Sequence, residues 1–134
     1  TIAVKGPQAL DIGSHAEGIQ TIAYGRGAHS EGYRSAAFGN YSHAEGWQTR
    51  AEGAGSHTSG IGTIATEDYQ TVVGAYNANE STAKFIVGIG TSEQKSNCFS
   101  TGKALDGNSY IKVGNITLTE AQLEKIISFI NAIE

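Results

Sequence analysis

Residues 14–60 read SHAEG IQ TIAYG RG AHSEG YR SAAFG NY SHAEG WQ TRAEG AG SHTSG, a run of pentads separated by two-residue spacers. Glycine closes each pentad, at 18, 25, 32, 39, 46, 53 and 60. Thr63 and Ala65 hold the phase one step further, where Glu67 takes the place of glycine, and Val72 and Gly74 recover it in QTVVG. Upstream, Ala9 is in phase, so the array is expected to begin near residue 7. The first position of each pentad is Ser, Thr or Ala, and the third is nearly always Ala or Ser. Alternate residues of a strand share one face. A face this small must point into an interior too narrow for large side chains. Two residues then turn the chain and the next strand begins. The pattern predicts a mainly β chain wound as a flattened solenoid, with two short strands in each fourteen-residue coil.

The fourteen-residue level is written separately. His15, His29, His43 and His57 are fourteen apart, and Glu17, Glu31 and Glu45 follow three of them by two residues. Ile19, Tyr33, Trp47 and Ile61 occupy the turns after the same pentads. Stacked coils turn each set into a ladder with rungs about 4.8 Å apart. The alternate pentads carry Ile22/Tyr24, Ala36/Phe38, Arg50/Glu52 and Ile64/Thr66, so the other sheet is expected to bear a mostly apolar column that turns polar midway. A helical reading fails, because Gly, Ala and Ser are poor material for a coiled-coil seam. A calcium-binding β-roll fails too, since Asp11 is the only aspartate before Asp68. Eighteen glycines beside one proline point to recurring tight turns rather than to collagen.

A solenoid of some five coils with an Ala/Ser/Gly interior buries little apolar area, and at roughly 25 cal/mol per Å² that hardly offsets chain entropy. The large residues at its corners need a cover, which association supplies. S-x-A-x-G pentads at this spacing resemble the head repeats of trimeric autotransporter adhesins. The SHAEG spelling with an aromatic in the following turn is more similar to the repeats of bacteriophage and prophage tail-fibre proteins. The resemblance covers roughly residues 9–76. It implies a left-handed parallel β-roll packed as a homotrimer, with Ile19, Tyr33, Trp47 and Ile61 between chains.

The seven-residue period stops after Gly74. TAKFIVGIG (82–90) reads as a strand, NCFSTGK (97–103) as its return across a polar turn, and SYIKVGNITL (109–118) as one more strand or two short ones. Asp106-Gly107 signals a turn. These segments also resemble the closing region of tail-fibre proteins. Thr119 is a candidate N-cap, with Gln122 completing a capping box and Glu120 in the first turn. Leu123, Ile126, Ile130 and Ile133 then recur on one face of a helix. Ile-rich stripes of this kind favour trimers over dimers, so the helix is expected to pack between chains rather than on its own β region. The expected segments are a roll over 1–76, a small β region over 77–118 and a trimerising helix over 119–134.

The chain has a formal charge of −4 and 16% charged residues, which argues against nucleic acid as a partner. No apolar run is long enough to insert in a membrane. Cys98, the single cysteine, excludes an internal disulfide and is expected to be a small buried hydrophobe. The chain begins at Thr1 without a methionine and is expected to be a piece of a longer one.

His-x-Glu ladders raise the question of a metal or a catalytic site. Each histidine alternates with small residues and the sequence shows no tight local ligand cluster, so the expected role is a hydrogen-bonded polar ladder, with no metal and no cofactor. The glutamates are repeat positions rather than a unique pair, so no enzymatic activity is expected. Tyr41, in the opposite turn, is the candidate for a sugar contact. The expected function is a non-catalytic structural or adhesive segment of a phage or prophage tail fibre, placed in the virion and touching a glycan or protein receptor on the host surface. The alternative is the head of a trimeric adhesin on the bacterial cell surface, and a glycan-degrading tail spike comes third.

Overall fold

The computed structural model describes residues 6–133, so residues 1–5 of the expected roll and Glu134 of the expected helix lie outside the described residues. The first strands are pairs of residues: β1 (Gln8–Ala9), β2 (His15–Ala16), β3 (Ile22–Ala23), β4 (His29–Ser30) and β5 (Ala36–Ala37). Longer strands then alternate with short ones: β6 (His43–Trp47), β7 (Arg50–Ala51), β8 (His57–Ile61), β9 (Ile64–Ala65) and β10 (Thr71–Ala75). The chain closes with β11 (Ala83–Ile89), β12 (Asn97–Lys103), β13 (Ser109–Val113), β14 (Ile116–Thr119) and α1 (Glu120–Asn131).

Odd and even strands of the repeat fall into two sheets. One has five strands in the order β1-β3-β5-β7-β9, and the other has nine, in the order β14-β13-β12-β11-β10-β8-β6-β4-β2. Parallel pairs are in fourteen-residue register, as in His29↔His43 and Ala23↔Ala37. The protein is therefore a β-solenoid, with two strands per coil as the spacing requires.

Between the sheets lie Ala23, Ala28, Ala37, Ala44 and Ala51, then Ala65, Val72, Ala83 and Ile86, all buried. Serine at the first pentad position has a use beyond its size. Ser42 Oγ donates to the Gly39 carbonyl at 2.6 Å and Ser56 Oγ to that of Gly53 at 2.7 Å, closing the corner over the two spacer residues. The fifth position is buried at Gly25, Gly39 and Gly53, as an interior face of three residues requires, but on the nine-stranded sheet it departs from that picture. Gly32, at φ +99°, is exposed, and a Cβ on it would collide with the carbonyl oxygen of Gly46 in the next coil. Glycine recurs there because backbone approaches backbone. Glu67 ends the Gly25-Gly39-Gly53 column because the five-stranded sheet has no strand after β9 to stack on it.

The second spacer residue holds a left-handed backbone at every corner. Gly13, Gln20, Gly27, Arg34, Tyr41, Gln48, Gly55, Gly62, Tyr69 and Tyr76 all have φ between 38° and 70°.

The coil continues past the point where the heptads end. β11 pairs with β10 in parallel, Thr71↔Phe85 through Ala75↔Ile89, still fourteen residues on. The sheet thus runs unbroken through the 76/77 boundary expected from the period. The five-stranded sheet stops instead at β9, where the Asn77 side chain accepts from Ile64 N–H at 2.8 Å and donates to Ile64 C=O at 3.0 Å. That amide takes the place of a sixth strand. β12, β13 and β14 then add as an antiparallel meander. The segment over 109–118 forms the two short strands of the alternative reading. Cys98 is half-buried, with Sγ 3.6 Å from the Val87 carbonyl.

Candidate functional site: the histidine–glutamate ladder and the apolar edge

Parallel pairing of β2, β4, β6 and β8 stacks the four histidines on the outer face of the nine-stranded sheet. Their ring centroids are 4.9, 4.7 and 5.0 Å apart in succession, with the middle pair within 3° of parallel. The glutamates form the neighbouring column. Each imidazole leans toward the carboxylate one coil back: His29 Nε2 is 3.9 Å from Glu17, His43 Nε2 is 3.7 Å from Glu31, and His57 Nε2 is 3.5 Å from Glu45. The ladder is thus built along one chain. These gaps are too long for hydrogen bonds. The Nε2 atoms of His29, His43 and His57 are all shielded from solvent and have no hydrogen-bond partner.

Burial, then the like-charged neighbours His29 and His57, draw the His43 pKa down, and the opposing pull of Glu45 and Glu31 does not restore it. A hydrogen bond with Ser59, with help from His43 and His57, holds Glu45 below the ordinary carboxylate range against burial. At the centre of the ladder these shifts favour a neutral His43 beside an ionised Glu45. The expected separation of ligand-type residues is also corrected. Stacking brings Glu17, His29 and Glu31 together, and likewise Glu31, His43 and Glu45, with one ligand atom of each residue within 4.8 Å of the others.

Ile19, Tyr33, Trp47 and Ile61 form the second candidate surface. They extend the strands rather than the turns, since Ile19↔Tyr33↔Trp47 are bridged and Trp47↔Ile61 is a ladder pair. Ala75 and Ile89 continue the column. Ile19, Trp47 and Ile61 are 52%, 42% and 45% exposed, so a strip of large apolar side chains faces solvent along one edge of the sheet. On the other sheet Tyr24 and Phe38 are exposed too, and Arg50 lies 5.4 Å over the Phe38 ring.

Helix α1 carries the third surface. Its capping box forms as expected: Thr119 accepts from Gln122 N–H, and the Gln122 side chain accepts from Thr119 N–H. No described residue of the helix is buried. Leu123 is half-buried near β13, while Ile126, Ile127, Phe129 and Ile130 are exposed, as is Ile133 just beyond the helix. Its own β region leaves the apolar stripe uncovered. Among the described residues, no helix is long and apolar enough to cross a membrane.

Tyr41 is exposed, with its ring laid over Gly27 one coil back, and Tyr69 lies over Gly55 in the same corner column. A further polar centre was not singled out from the sequence. The Glu80 carboxylate accepts from Asn97 Nδ2 at 2.8 Å, Ser100 Oγ at 2.7 Å and Lys112 Nζ at 3.0 Å, tying three segments together. Those partners lie 17 to 32 residues away, so no local motif announces them. Burial alone would raise the Glu80 pKa, but these hydrogen bonds and the Lys112 charge outweigh it and hold the carboxyl low.

No family model, curated protein or solved structure matches this chain.

Proposed function

We propose that the chain is a non-catalytic structural and adhesive segment of a trimeric fibre, a phage or prophage tail fibre that contacts the bacterial surface. The observation that carries this reading is the pair of uncovered apolar surfaces. One runs along the sheet edge through Ile19, Tyr33, Trp47 and Ile61, and the other is the α1 face of Ile126 and Ile130 with Ile133 beyond it. Two elements of unlike architecture thus each leave an apolar strip toward solvent, and contiguous exposed apolar area marks an interaction site. A parallel solenoid offers a straight edge, and three copies side by side bury all three strips about one axis. The SHAEG resemblance favours a tail fibre over a surface adhesin. Exposed Tyr41 and Tyr69 on the corner are the surface offered to a host glycan.

Brief chemical crosslinking of the dilute chain is expected to end at a species of three chains, and a pattern that stops at one contradicts the fibre. Incubation with bacterial cells and purified surface polysaccharides is expected to give retention without shortening of any polymer. Release of new reducing ends contradicts the non-catalytic reading.

A further inference from the structure

We propose that the Glu17–His29–Glu31 and Glu31–His43–Glu45 triads bind a divalent transition-metal ion, with Zn²⁺ as the reference case. The ligands come from three successive coils of one chain, so the site goes beyond the fibre reading and does not depend on it.

Three observations carry the inference. The first is distance. Two ligands each about 2.1 Å from a tetrahedral ion stand about 3.4 Å apart. The His-to-Glu separations of 3.9 and 3.7 Å lie beyond hydrogen bonding and within a few tenths of that span. Each triad gathers its three ligand atoms within 4.8 Å.

The second is an unpaid desolvation. Nε2 of His29 and of His43 is closed off from water and has no partner. A buried nitrogen without a hydrogen bond is costly, and a metal bond offsets that cost where a carboxylate at this distance does not.

The third is charge. Glu17, Glu31 and Glu45 stand in adjacent rungs, and among the described residues their ion-pair partners are histidines only. Each triad pairs one imidazole with two carboxylates, a mixed nitrogen and oxygen donor set that suits a divalent transition-metal ion. The imidazole selects the class: a hard cation such as Mg²⁺ takes oxygen ligands and leaves Nε2 unpaired. The site has a boundary as well. His57 faces Glu45, but the next position in the glutamate column is Ser59, so that triad lacks its second carboxylate.

Titration of the intact chain with ZnCl₂ in a non-chelating buffer tests the proposal. Saturable binding of at least one ion per chain is expected, undisturbed by excess Mg²⁺. Glu31→Gln removes the shared ligand at nearly constant volume and is expected to weaken binding about tenfold or more. Glu67→Gln, in the turn after β9, is expected to leave it unchanged. Absence of saturable Zn²⁺ binding, equal competition by Mg²⁺, or unaltered affinity in Glu31→Gln overturns the site. Co²⁺ added to the wild-type chain supplies a readout that needs no variant. Visible bands of a low-coordinate Co²⁺ centre are expected, and the spectrum of the hydrated ion alone overturns the proposal.

Discussion

Gly32 holds φ at +99° and sits directly beneath the Gly46 carbonyl, and each fact alone excludes a side chain. Gly32→Ala is therefore expected to cost about 3 kcal/mol or more, through backbone strain and a collision that no rotamer relieves. Gln48 presents the opposite case. It holds φ +56° at a corner where glycine would sit without strain. Left-handed backbone costs an L-residue roughly 1–2 kcal/mol, and the greater unfolded freedom of glycine returns part of any gain. Gln48→Gly is thus expected to raise stability by about 0.5 kcal/mol. Thermal melts of both variants check the pair, and a clear loss in Gln48→Gly would show that its side chain packs in the corner. The two kinds of glycine also mark a limit of reading by sequence. The closing glycines were legible because they recur every seven residues from Gly18 to Gly60. The left-handed corners were not, because Gln, Arg and Tyr occupy half or more of them and hide the conformational demand.

At the scale of elements, β11 shows where a period was followed at the wrong length. Counting by seven loses the phase after Gly74, whereas counting by fourteen places Gly88 after Gly60 and Gly74, and Ile86 after Val72. The roll strands, the meander and the capping box of α1 were all legible, since each rests on local pattern. Glu80 was not, because its partners converge from β12 and β13. Its carboxyl is held below the ordinary value, so its contribution is present above the unfolded carboxylate range, near pH 4.3, and is lost as pH falls through the folded value. Glu80→Gln is accordingly expected to be less stable than wild type at neutral pH, with the difference narrowing on acidification. Denaturant titrations at about pH 7 and about pH 3 measure this, and a gap that widens in acid would contradict it. Thr119→Ala removes the acceptor for Gln122 N–H and is expected to cost α1 about 1 kcal/mol, visible as loss of helical signal before the β-sheet melts.

For the whole molecule, the interior is narrow and made largely of alanine, serine and threonine, and much of the large apolar surface faces outward. This reverses the usual arrangement of a small domain, and under the proposed trimer association would supply much of the stability. Trp47, the single tryptophan, stands in the apolar edge column and is 42% exposed in one chain. Covered by neighbouring chains, it is expected to emit at shorter wavelength and to resist aqueous quenchers, and both properties should disappear on dilution below the association range. The solenoid itself was readable from spacing alone. The proposed number of chains rests on surfaces left bare, which spacing does not encode.

The most direct measurement is the solution mass by light scattering of the chain, intact and truncated before Thr119. The account predicts a mass of three chains for the intact protein, and dissociation once α1 is removed. A stable monomer with its Ile and Trp strips exposed to water would contradict it.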